Sequence, residues 1–520
     1  MAILSWDIRS EKGGYLVIPT TDNGGFMISQ ILKEARNYEE TEGTQIPSDK
    51  RPLFHLTPYI GWMNDPNGFS QYNGKYHLFY QYYPYKKKWG PMHWGHAVTE
   101  DLLQWEFLPA AIAPDTEPDS GGCFSGSALS MDNGKHLLLY TGVVKLNDMD
   151  EDTFLQTQCL AEGDGVDYVK YEGNPVIGMK DIPEGLSKYD FRDPKMWREK
   201  DGTYRCVVGG CTNDKKGRIL YFRSDDGYDW KFVSVLAAND GSLGTMWECP
   251  DFFELDGKYV LLISPQDVLQ NEEYNCGNIV VAMIGTFDPE TGIFHKETEQ
   301  LVDAGIDFYA TQTLLAEDGR RLMVAWMQNW DSIVHTIRSL RWFGQMVLPR
   351  ELSVKNGRLI QKPVRELENI RKNPVIVKDV LVESTTKLEG VKGRTVDLTV
   401  RIRPESYSSY RKFEIRFAEE GNEYTSLIYR PAECTLEFDR SNSGTRRATS
   451  HTRKCSVAEN NGEIKLRIIL DRYSCEVFVN DGEQTLSNVI YTDQEADGIS
   501  FINHKGRALI DVEKYDLSFE

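Results

Sequence analysis

One stretch of the chain, residues 61–81, reads Gly-Trp-Met-Asn-Asp-Pro-Asn-Gly-Phe-Ser-Gln-Tyr-Asn-Gly-Lys-Tyr-His-Leu-Phe-Tyr-Gln. Its first part is a constrained turn, because Pro66 fixes its own φ and pushes Asp65 towards extended geometry, while Asn67-Gly68 accepts positive φ. A second turn, Asn73-Gly74, leads into an apolar and aromatic segment that is typical of a β-strand. The stretch therefore predicts a carboxylate held still just ahead of a β-hairpin.

The same order of polar motif, turn and strand occurs five times in the chain. Successive turns begin 60, 68, 55 and 62 residues apart, and each motif lies eight or nine residues ahead of its turn. The turns are Asn73-Gly74, Asn133-Gly134, Asp201-Gly202, Asp256-Gly257 and Asp318-Gly319. The motifs are Asn64-Asp65, Phe124-Ser-Gly-Ser127, Arg192-Asp193, Glu248-Cys-Pro-Asp251 and Tyr309-Ala-Thr-Gln312. A period of about 60 residues with about four strands per unit predicts a five-bladed β-propeller over residues 51–350, whose equivalent motifs face one central funnel.

The remaining residues divide into three segments. Residues 1–50 predict an N-terminal extension, with a hairpin at 14–29 and an amphipathic helix at about 29–41. Residues 351–375 read as a linker, and residues 376–520 contain seven or more period-two segments that indicate a β-sandwich. The expected fold class is all-β, a five-bladed β-propeller followed by a C-terminal β-sandwich.

Composition excludes several classes of partner. With 59 basic and 79 acidic residues the formal net charge is −20, which disfavours nucleic acid and anionic membranes. Nine cysteines without paired short spacings predict free thiols in a reducing compartment and no metal site. No secretion signal or apolar run of about 20 residues is visible, so a cytoplasmic location without a membrane partner is expected. Homo-oligomerisation stays open.

Three acidic residues suggest the chemistry: Asp65, Asp193 and Glu248, each next to or near a proline. Taken singly, an Asp-Pro pair indicates a turn more often than a catalyst. Jointly, a nucleophilic carboxylate and a protonated carboxyl group are the minimum apparatus for cleaving a glycosidic bond. The chain has no Gly-rich phosphate loop, Ser-His-Asp order or cluster of metal ligands, so no cofactor is expected.

Aromatic and polar residues near the first motif favour a sugar substrate. Trp89 offers an apolar face to sugar C–H groups, whereas Gln81, Asn64 and Arg192 can hydrogen-bond hydroxyls. Trp94 and Tyr82, which lie nearby in the sequence, are expected to pack between blades instead.

The motifs together resemble those of glycoside hydrolase family 32, which contains invertases, sucrose-6-phosphate hydrolases and fructan hydrolases. The resemblance is carried by Trp62-Met-Asn-Asp-Pro-Asn-Gly68, Phe124-Ser-Gly-Ser127, Arg192-Asp193-Pro194 and Glu248-Cys249-Pro250, and it extends over residues 50–520. The family's fold is a five-bladed propeller followed by a β-sandwich, which agrees with the periodicity.

The resemblance implies a retaining mechanism with a role for each carboxylate. Asp65 would attack the anomeric carbon of a β-fructofuranosyl unit, and Glu248 would act as acid and then base. Asp193 would stabilise the transition state, and the carboxyl groups of Asp65 and Glu248 would lie about 5–6 Å apart. The residues implied to bind the substrate are Trp62, Asn64, Gln81, Trp89, Phe124, Ser125 and Arg192.

The leaving group is not fixed by these patterns. Sucrose, sucrose 6-phosphate and short fructo-oligosaccharides all fit, and the three lysines at 86–88 are either a phosphate contact or a solvated loop tip. Two alternatives use the same residues: a fructosyltransferase, and a non-catalytic carbohydrate-binding propeller.

Overall fold

The computed structural model describes residues 28–146, 154–271, 274–333, 340–405, 409–444 and 450–519. Most of the predicted hairpin at 14–29 lies outside these residues. The predicted helix is confirmed as Gln30–Glu42, where the Ser29 hydroxyl caps the N-terminus by accepting a hydrogen bond from the backbone N–H of Leu32. Leu32 and Ala35 are buried on the side of this helix that packs against the body of the protein.

Five antiparallel sheets follow one another between residues 61 and 363, each ordered as the chain runs. Their strands are Gly61–Tyr72, Lys75–Tyr83, His93–Thr99 and Glu106–Ile112; Gly122–Ser130, His136–Lys145, Phe154–Gly163 and Tyr168–Lys170; Leu186–Arg198, Tyr204–Thr212, Gly217–Ser224 and Trp230–Ala238; Trp247–Leu255, Lys258–Pro265, Val281–Asp288 and Ile293–Leu301; and Tyr309–Leu315, Arg321–Trp326, Arg350–Lys355 and Arg358–Pro363. The opening strand of each sheet contacts that of the next, and the fifth contacts the first. The five opening strands therefore form a closed ring.

A short fifth strand closes the ring. Trp342–Phe343 pairs in parallel with the start of Gly61–Tyr72, so a segment from the last repeat completes the first sheet. The next residue, Gly344, has φ +93°, and a Cβ there would lie 2.3 Å from the carbonyl oxygen of Met63. Only glycine lets the chain pass this closely.

The C-terminal part consists of two six-stranded sheets. The first contains Arg371–Val382, Ala508–Leu517, Val396–Pro404, Ile464–Asp471, Ser474–Val479 and Gln484–Val489; the second contains Thr385–Thr386, Gly498–Asn503, Phe413–Glu420, Glu423–Arg430, Thr435–Asp439 and Thr452–Ser456. Alternate residues of both sheets, such as Leu398, Val400, Ile415 and Phe417, are buried in one hydrophobic cluster. This is the period-two pattern expected when two sheets share a core.

The predicted linker at 351–375 is wrong for much of its length. Arg350–Lys355 and Arg358–Pro363 are the last two strands of the fifth sheet, and a 3₁₀-helix, Arg365–Ile370, leads directly into a strand of the C-terminal part. The turn at residues 356–357 joins two strands instead of connecting domains, because Leu352 and Leu359 bury their side chains in the fifth sheet.

A fully buried series of ion pairs joins the ring of sheets to the C-terminal part. His55 contacts Asp471 (Nδ1 to Oδ2, 2.8 Å) and Glu476 (Nε2 to Oε1, 2.9 Å). Arg350 in turn contacts Glu476 (2.7 Å) and Asp303 (3.0 Å). The charges alternate in sign from one ion pair to the next. Burial opposes the charged imidazole, but the hydrogen bonds to Asp471 and Glu476 outweigh it and raise the pKa of His55 to about 9.

We predict that His55→Gln lowers the stability at neutral pH by about 3 kcal/mol, because it removes the ion-pair partner of the buried Asp471 carboxylate and one of the two partners of Glu476, which keeps Arg350. The pKa of His55 in the folded protein lies above its ordinary value of 6.5. The stabilisation from His55 is therefore fully present below pH 6.5 and disappears as the pH rises towards 9. Calorimetric melting temperatures from pH 6 to 9 measure both effects. The control is His295→Gln at an exposed position; equal pH slopes in the parent and His55→Gln would contradict the assignment.

Candidate active site

The polar motifs stand at irregularities of the five opening strands. In each strand the pairing register breaks at the motif: between Met63 and Pro66, Phe124 and Gly126, Arg192 and Lys195, Glu248 and Asp251, and Tyr309 and Gln312. Such bulges turn side chains out of the regular alternation. At three of these breaks the backbone adopts positive φ, +66° at Asp193, +47° at Cys249 and +55° at Ala310, an uncommon conformation for residues with a Cβ.

The first four motifs contribute residues to the lining of one open cavity of about 680 Å³. Nine of the ten residues selected from the sequence line it: Asn64, Asp65, Gln81, Trp89, Phe124, Ser125, Arg192, Asp193 and Glu248. Eight further residues that no sequence motif indicated as site residues also line it: Phe154, Gln156, Tyr189, Asp190, Gln266, Asp267, Asn278 and Trp330. Carboxylates from the first, third and fourth sheets therefore share one site.

Trp62, the tenth residue, does not line the cavity. Its ring is buried and packs face to face on Phe343, with ring centroids 4.9 Å apart. Its indole Nε1 donates a hydrogen bond to Oδ1 of Asn64 at 2.7 Å. Trp62 thus lies behind the lining, where Phe343 of the closing strand covers its ring, and its direct contact with a substrate stays a prediction.

Asp65 is fixed by three neighbours. Asn64 Nδ2 donates to its Oδ1 at 3.0 Å, Ser125 Oγ donates to its Oδ2 at 2.9 Å, and the Cys249 thiol lies 3.4 Å from Oδ2. Burial, helped by the charge of Glu248, raises the pKa of Asp65 above its ordinary value, although these donors act in the opposite direction.

Asp193 sits in a similarly buried environment. The backbone N–H of Cys249 donates to its Oδ2 at 3.0 Å, and its own N–H donates to Thr141 Oγ1 at 2.9 Å. Burial raises the pKa of Asp193; the guanidinium of Arg192 opposes this rise, and the neighbouring carboxylates reinforce it. Two crowded carboxyl groups in one apolar-walled site favour sharing of a proton.

Glu248 accepts hydrogen bonds at both oxygens. Arg192 donates through Nε and Nη2 to Oε1, each at 2.9 Å. Tyr309 OH donates to Oε2 at 2.6 Å and Gln266 Nε2 at 2.9 Å. Burial and the adjacent glutamate raise the pKa of Tyr309 well above its usual range, so its hydroxyl stays a donor. Tyr309 belongs to the fifth recurring motif, so the period indicated it, whereas nothing in the sequence indicated Gln266.

Trp94 and Tyr82 are fully buried and do not belong to the lining of the cavity, which agrees with a packing role for both side chains. None of the three lysines at 86–88 lines the cavity, and Lys87 instead lines a small separate pocket with Trp342 and Tyr473. The lysines therefore give no support to a phosphate contact in this cavity.

Two further findings concern the described residues as a whole. They include no group of three or more His, Cys, Asp or Glu side chains arranged to hold a metal ion. They also include no helix long and apolar enough to cross a bilayer. All nine cysteines are free, as predicted.

Two family models match the chain in sequence. "Glycosyl hydrolases family 32 N-terminal domain" matches residues 55–363, and "Glycosyl hydrolases family 32 C terminal" matches residues 366–517. The matched ranges meet at the end of the fifth sheet.

Similar proteins extend over nearly the whole chain. Raffinose invertase of Escherichia coli is 37% identical over 468 residues, which cover 88% of this chain and 93% of that enzyme. Sucrose-6-phosphate hydrolase of Escherichia coli is 37% identical over 469 residues, with the same coverage. A solved structure of a Bombyx mori β-fructofuranosidase mutant in complex with sucrose superposes with a TM-score of 0.80 at 35% identity, covering 93% of this chain and 97% of that one.

We predict that the thiol beside the carboxylates is chemically inert. Burial, together with the charges of Asp193 and Asp65, raises the pKa of Cys249 well above its usual range, and thiolates are the reactive form. Iodoacetamide at pH 8 should alkylate the exposed Cys276 and leave Cys249 unmodified, as measured by peptide mass spectrometry. Alkylation of both cysteines at equal rates in folded protein would contradict this; unfolded protein is the positive control.

Proposed function

The chain belongs to glycosyl hydrolases family 32, and from this premise we propose that it is a retaining β-fructofuranosidase. Its substrates are sucrose, sucrose 6-phosphate or short fructo-oligosaccharides, cleaved at the terminal β-fructofuranosyl bond through a covalent fructosyl-enzyme. The observation that carries the proposal is the convergence of Asp65, Asp193 and Glu248 on one cavity from three different sheets.

Asp65 is the nucleophile. Its carboxylate is held by Asn64 and Ser125 on opposite oxygens, which leaves it little rotational freedom. A carboxylate fixed in this way attacks the anomeric carbon without first losing side-chain entropy. Burial makes the same group a stronger nucleophile than a solvated carboxylate, because the charge is less well stabilised before attack.

Glu248 is the acid and base. Protonated, it donates to the departing oxygen and in the second step takes a proton from water. The donors Tyr309 and Gln266 on Oε2, and Arg192 on Oε1, stabilise the carboxylate formed after the first transfer. The separation of about 5–6 Å between the Asp65 and Glu248 carboxyl groups stays a prediction of the retaining mechanism.

Asp193 and Arg192 stabilise the transition state. Asp193 is fixed through both its side chain and its backbone N–H, so its oxygens are preorganised for fructosyl hydroxyl groups. Asn64, Gln81 and Ser125 supply further polar contacts at the bottom of the cavity. Trp89 and Phe124, with ring centroids 6.0 Å apart, form an apolar wall beside them.

We propose that the chain is divided into an N-terminal extension, a β-propeller and a β-sandwich, a division that the ring of sheets supports. The five sheets are the blades of a five-bladed β-propeller that ends with Arg358–Pro363, and a β-sandwich begins with Arg371–Val382. Residues before 51 form an N-terminal extension. The free cysteines are consistent with a cytoplasmic location.

The central experiment is replacement of the two reacting carboxyl groups. Asp65→Asn and Glu248→Gln should each reduce fructose release from sucrose by about 10³-fold or more, because each removes a chemical step and not merely a contact. Asp225→Asn, an exposed position outside the cavity, is the matched control and should be unaffected. Full activity in both site variants would refute the assignment.

Stereochemistry tests the covalent intermediate. In aqueous methanol a retaining enzyme transfers the fructosyl group to methanol with the β configuration, since two inversions occur. We therefore expect methyl β-fructofuranoside as the first transfer product in nuclear magnetic resonance spectra. Formation of the α anomer would indicate a single displacement.

A pH profile tests the role of Ser125. Its hydroxyl stabilises the charged form of Asp65, so Ser125→Ala should raise the pKa of Asp65 further and move the acidic limb of kcat/KM up by about one pH unit. Ser70→Ala is the control, because Ser70 lies in the same strand as Asp65 but its buried hydroxyl bonds Gly68 and His136 instead. An unchanged acidic limb in Ser125→Ala would show that another group limits the rate there.

A further inference from the structure

We infer that this enzyme selects uncharged leaving groups, and that Asp267 at the mouth of the cavity is the residue that disfavours a phosphorylated one. The inference rests on the proposed function and narrows its substrate class to sucrose and neutral fructo-oligosaccharides. The preference for neutral sugars differs from the activity that the name of the similar sucrose-6-phosphate hydrolase states.

The position of the leaving group follows from the burial of the lining residues. Asp65 is 8% exposed and Gln81 is 2% exposed, so the fructosyl unit that reaches the nucleophile lies at the bottom of the cavity. Trp89 and Tyr189, which also line the cavity, are 39% and 49% exposed. Whatever is attached to the fructosyl unit must therefore extend past these residues at the mouth.

Asp267 directly follows a residue that contacts the proposed acid. The preceding residue, Gln266, donates to Oε2 of Glu248, the proposed acid that protonates the departing oxygen. Gln266 and Asp267 both line the cavity, and Asp267 is exposed there. The first sugar of the leaving group thus passes close to the Asp267 carboxylate.

The charge of Asp267 is not neutralised within the described part of the chain. Its Oδ2 accepts a hydrogen bond from Thr245 Oγ1 at 2.9 Å, and no salt bridge with a described cation is found. The other acidic residue of the mouth, Asp190, differs, because Lys215 Nζ lies 2.7 Å from its Oδ2. Asp267 is therefore the uncompensated negative charge at the opening.

The rest of the lining does not offset this charge. Among the described residues that line the cavity there are five carboxyl groups and one guanidinium, that of Arg192. Arg192 already donates twice to Glu248, and the lysines at 86–88 lie outside the lining. Even if the deep carboxyl groups share protons, the described part of the lining offers the leaving group no cation besides Arg192.

The consequence differs for the two kinds of leaving group. A phosphate carries about −1.5 to −2 charges at neutral pH, and within a Debye length of about 8 Å a like charge repels it. A neutral hexose instead presents hydroxyl groups that can donate to the Asp267 carboxylate. The Asp267 side chain therefore favours neutral leaving groups and disfavours phosphorylated ones.

The test compares kcat/KM for sucrose and sucrose 6-phosphate, measured as fructose release, in the unmodified enzyme and in Asp267→Asn. Asparagine keeps an acceptor for Thr245 and tolerates the φ of +55° at this position. We expect sucrose to be preferred at least about tenfold by the unmodified enzyme. Asp267→Asn should raise the constant for sucrose 6-phosphate about fivefold or more, and it should lower that for sucrose, because an amide oxygen accepts from sugar hydroxyl groups more weakly than a carboxylate does.

Asp225→Asn changes the net charge equally at an exposed position outside the cavity and should leave the preference unchanged. Added salt should narrow the preference of the unmodified enzyme, because screening weakens repulsion at an exposed site. Equal constants for the two sugars, or an unchanged ratio in Asp267→Asn, would overturn the inference while leaving the proposed function intact. Fructose release from neither sugar would overturn both.

Discussion

The parallel pairing of Gly61 and Trp62 with Trp342 and Phe343 is the contact on which the rest of the structure depends. It joins the last repeat to the first and so closes the ring of five opening strands. It also reaches the chemistry, because Phe343 packs on Trp62, whose indole holds Asn64, which in turn donates to Asp65. The contact that closes the ring therefore also orients the proposed nucleophile. The long-range packing of Phe343 on Trp62 fixes the local hydrogen bond from Asn64 to Asp65.

Bringing several carboxyl groups into one buried cavity opposes folding, because each loses hydration and repels the others. The surrounding structure offsets this cost with donors aimed at individual oxygens: Ser125 at Asp65, the Cys249 N–H at Asp193, and Tyr309 at Glu248. The bulged opening strands present these donors, which a regular pleat would direct away. Positive φ at Asp193 and Cys249 accompanies two of these bulges, next to the carboxyl groups that they present.

The same principle governs the contact between the two parts of the molecule. The buried series of charges from Asp471 through His55 and Glu476 to Arg350 alternates in sign, so each ion is desolvated but paired. Such pairs contribute specificity of docking more than net stability, since a mismatched arrangement would leave a bare charge in the interior. The C-terminal sheets are thereby held in a defined position next to the ring, and none of their described residues lines the cavity.

The sequence by itself determined the period of the repeat, the turn in each unit and the three carboxyl groups, because these depend on local spacing and on residues such as glycine and proline with strong backbone preferences. It also determined that the opening motifs belong together, since equivalent positions in a repeat occupy equivalent places. Only the tertiary structure decided that Trp62 stands behind the cavity, that Gln156, Gln266 and Asp267 line it, and that residues 350–363 complete the fifth sheet. These outcomes depend on which distant strand packs against each residue, and no local pattern records a partner that lies hundreds of residues away.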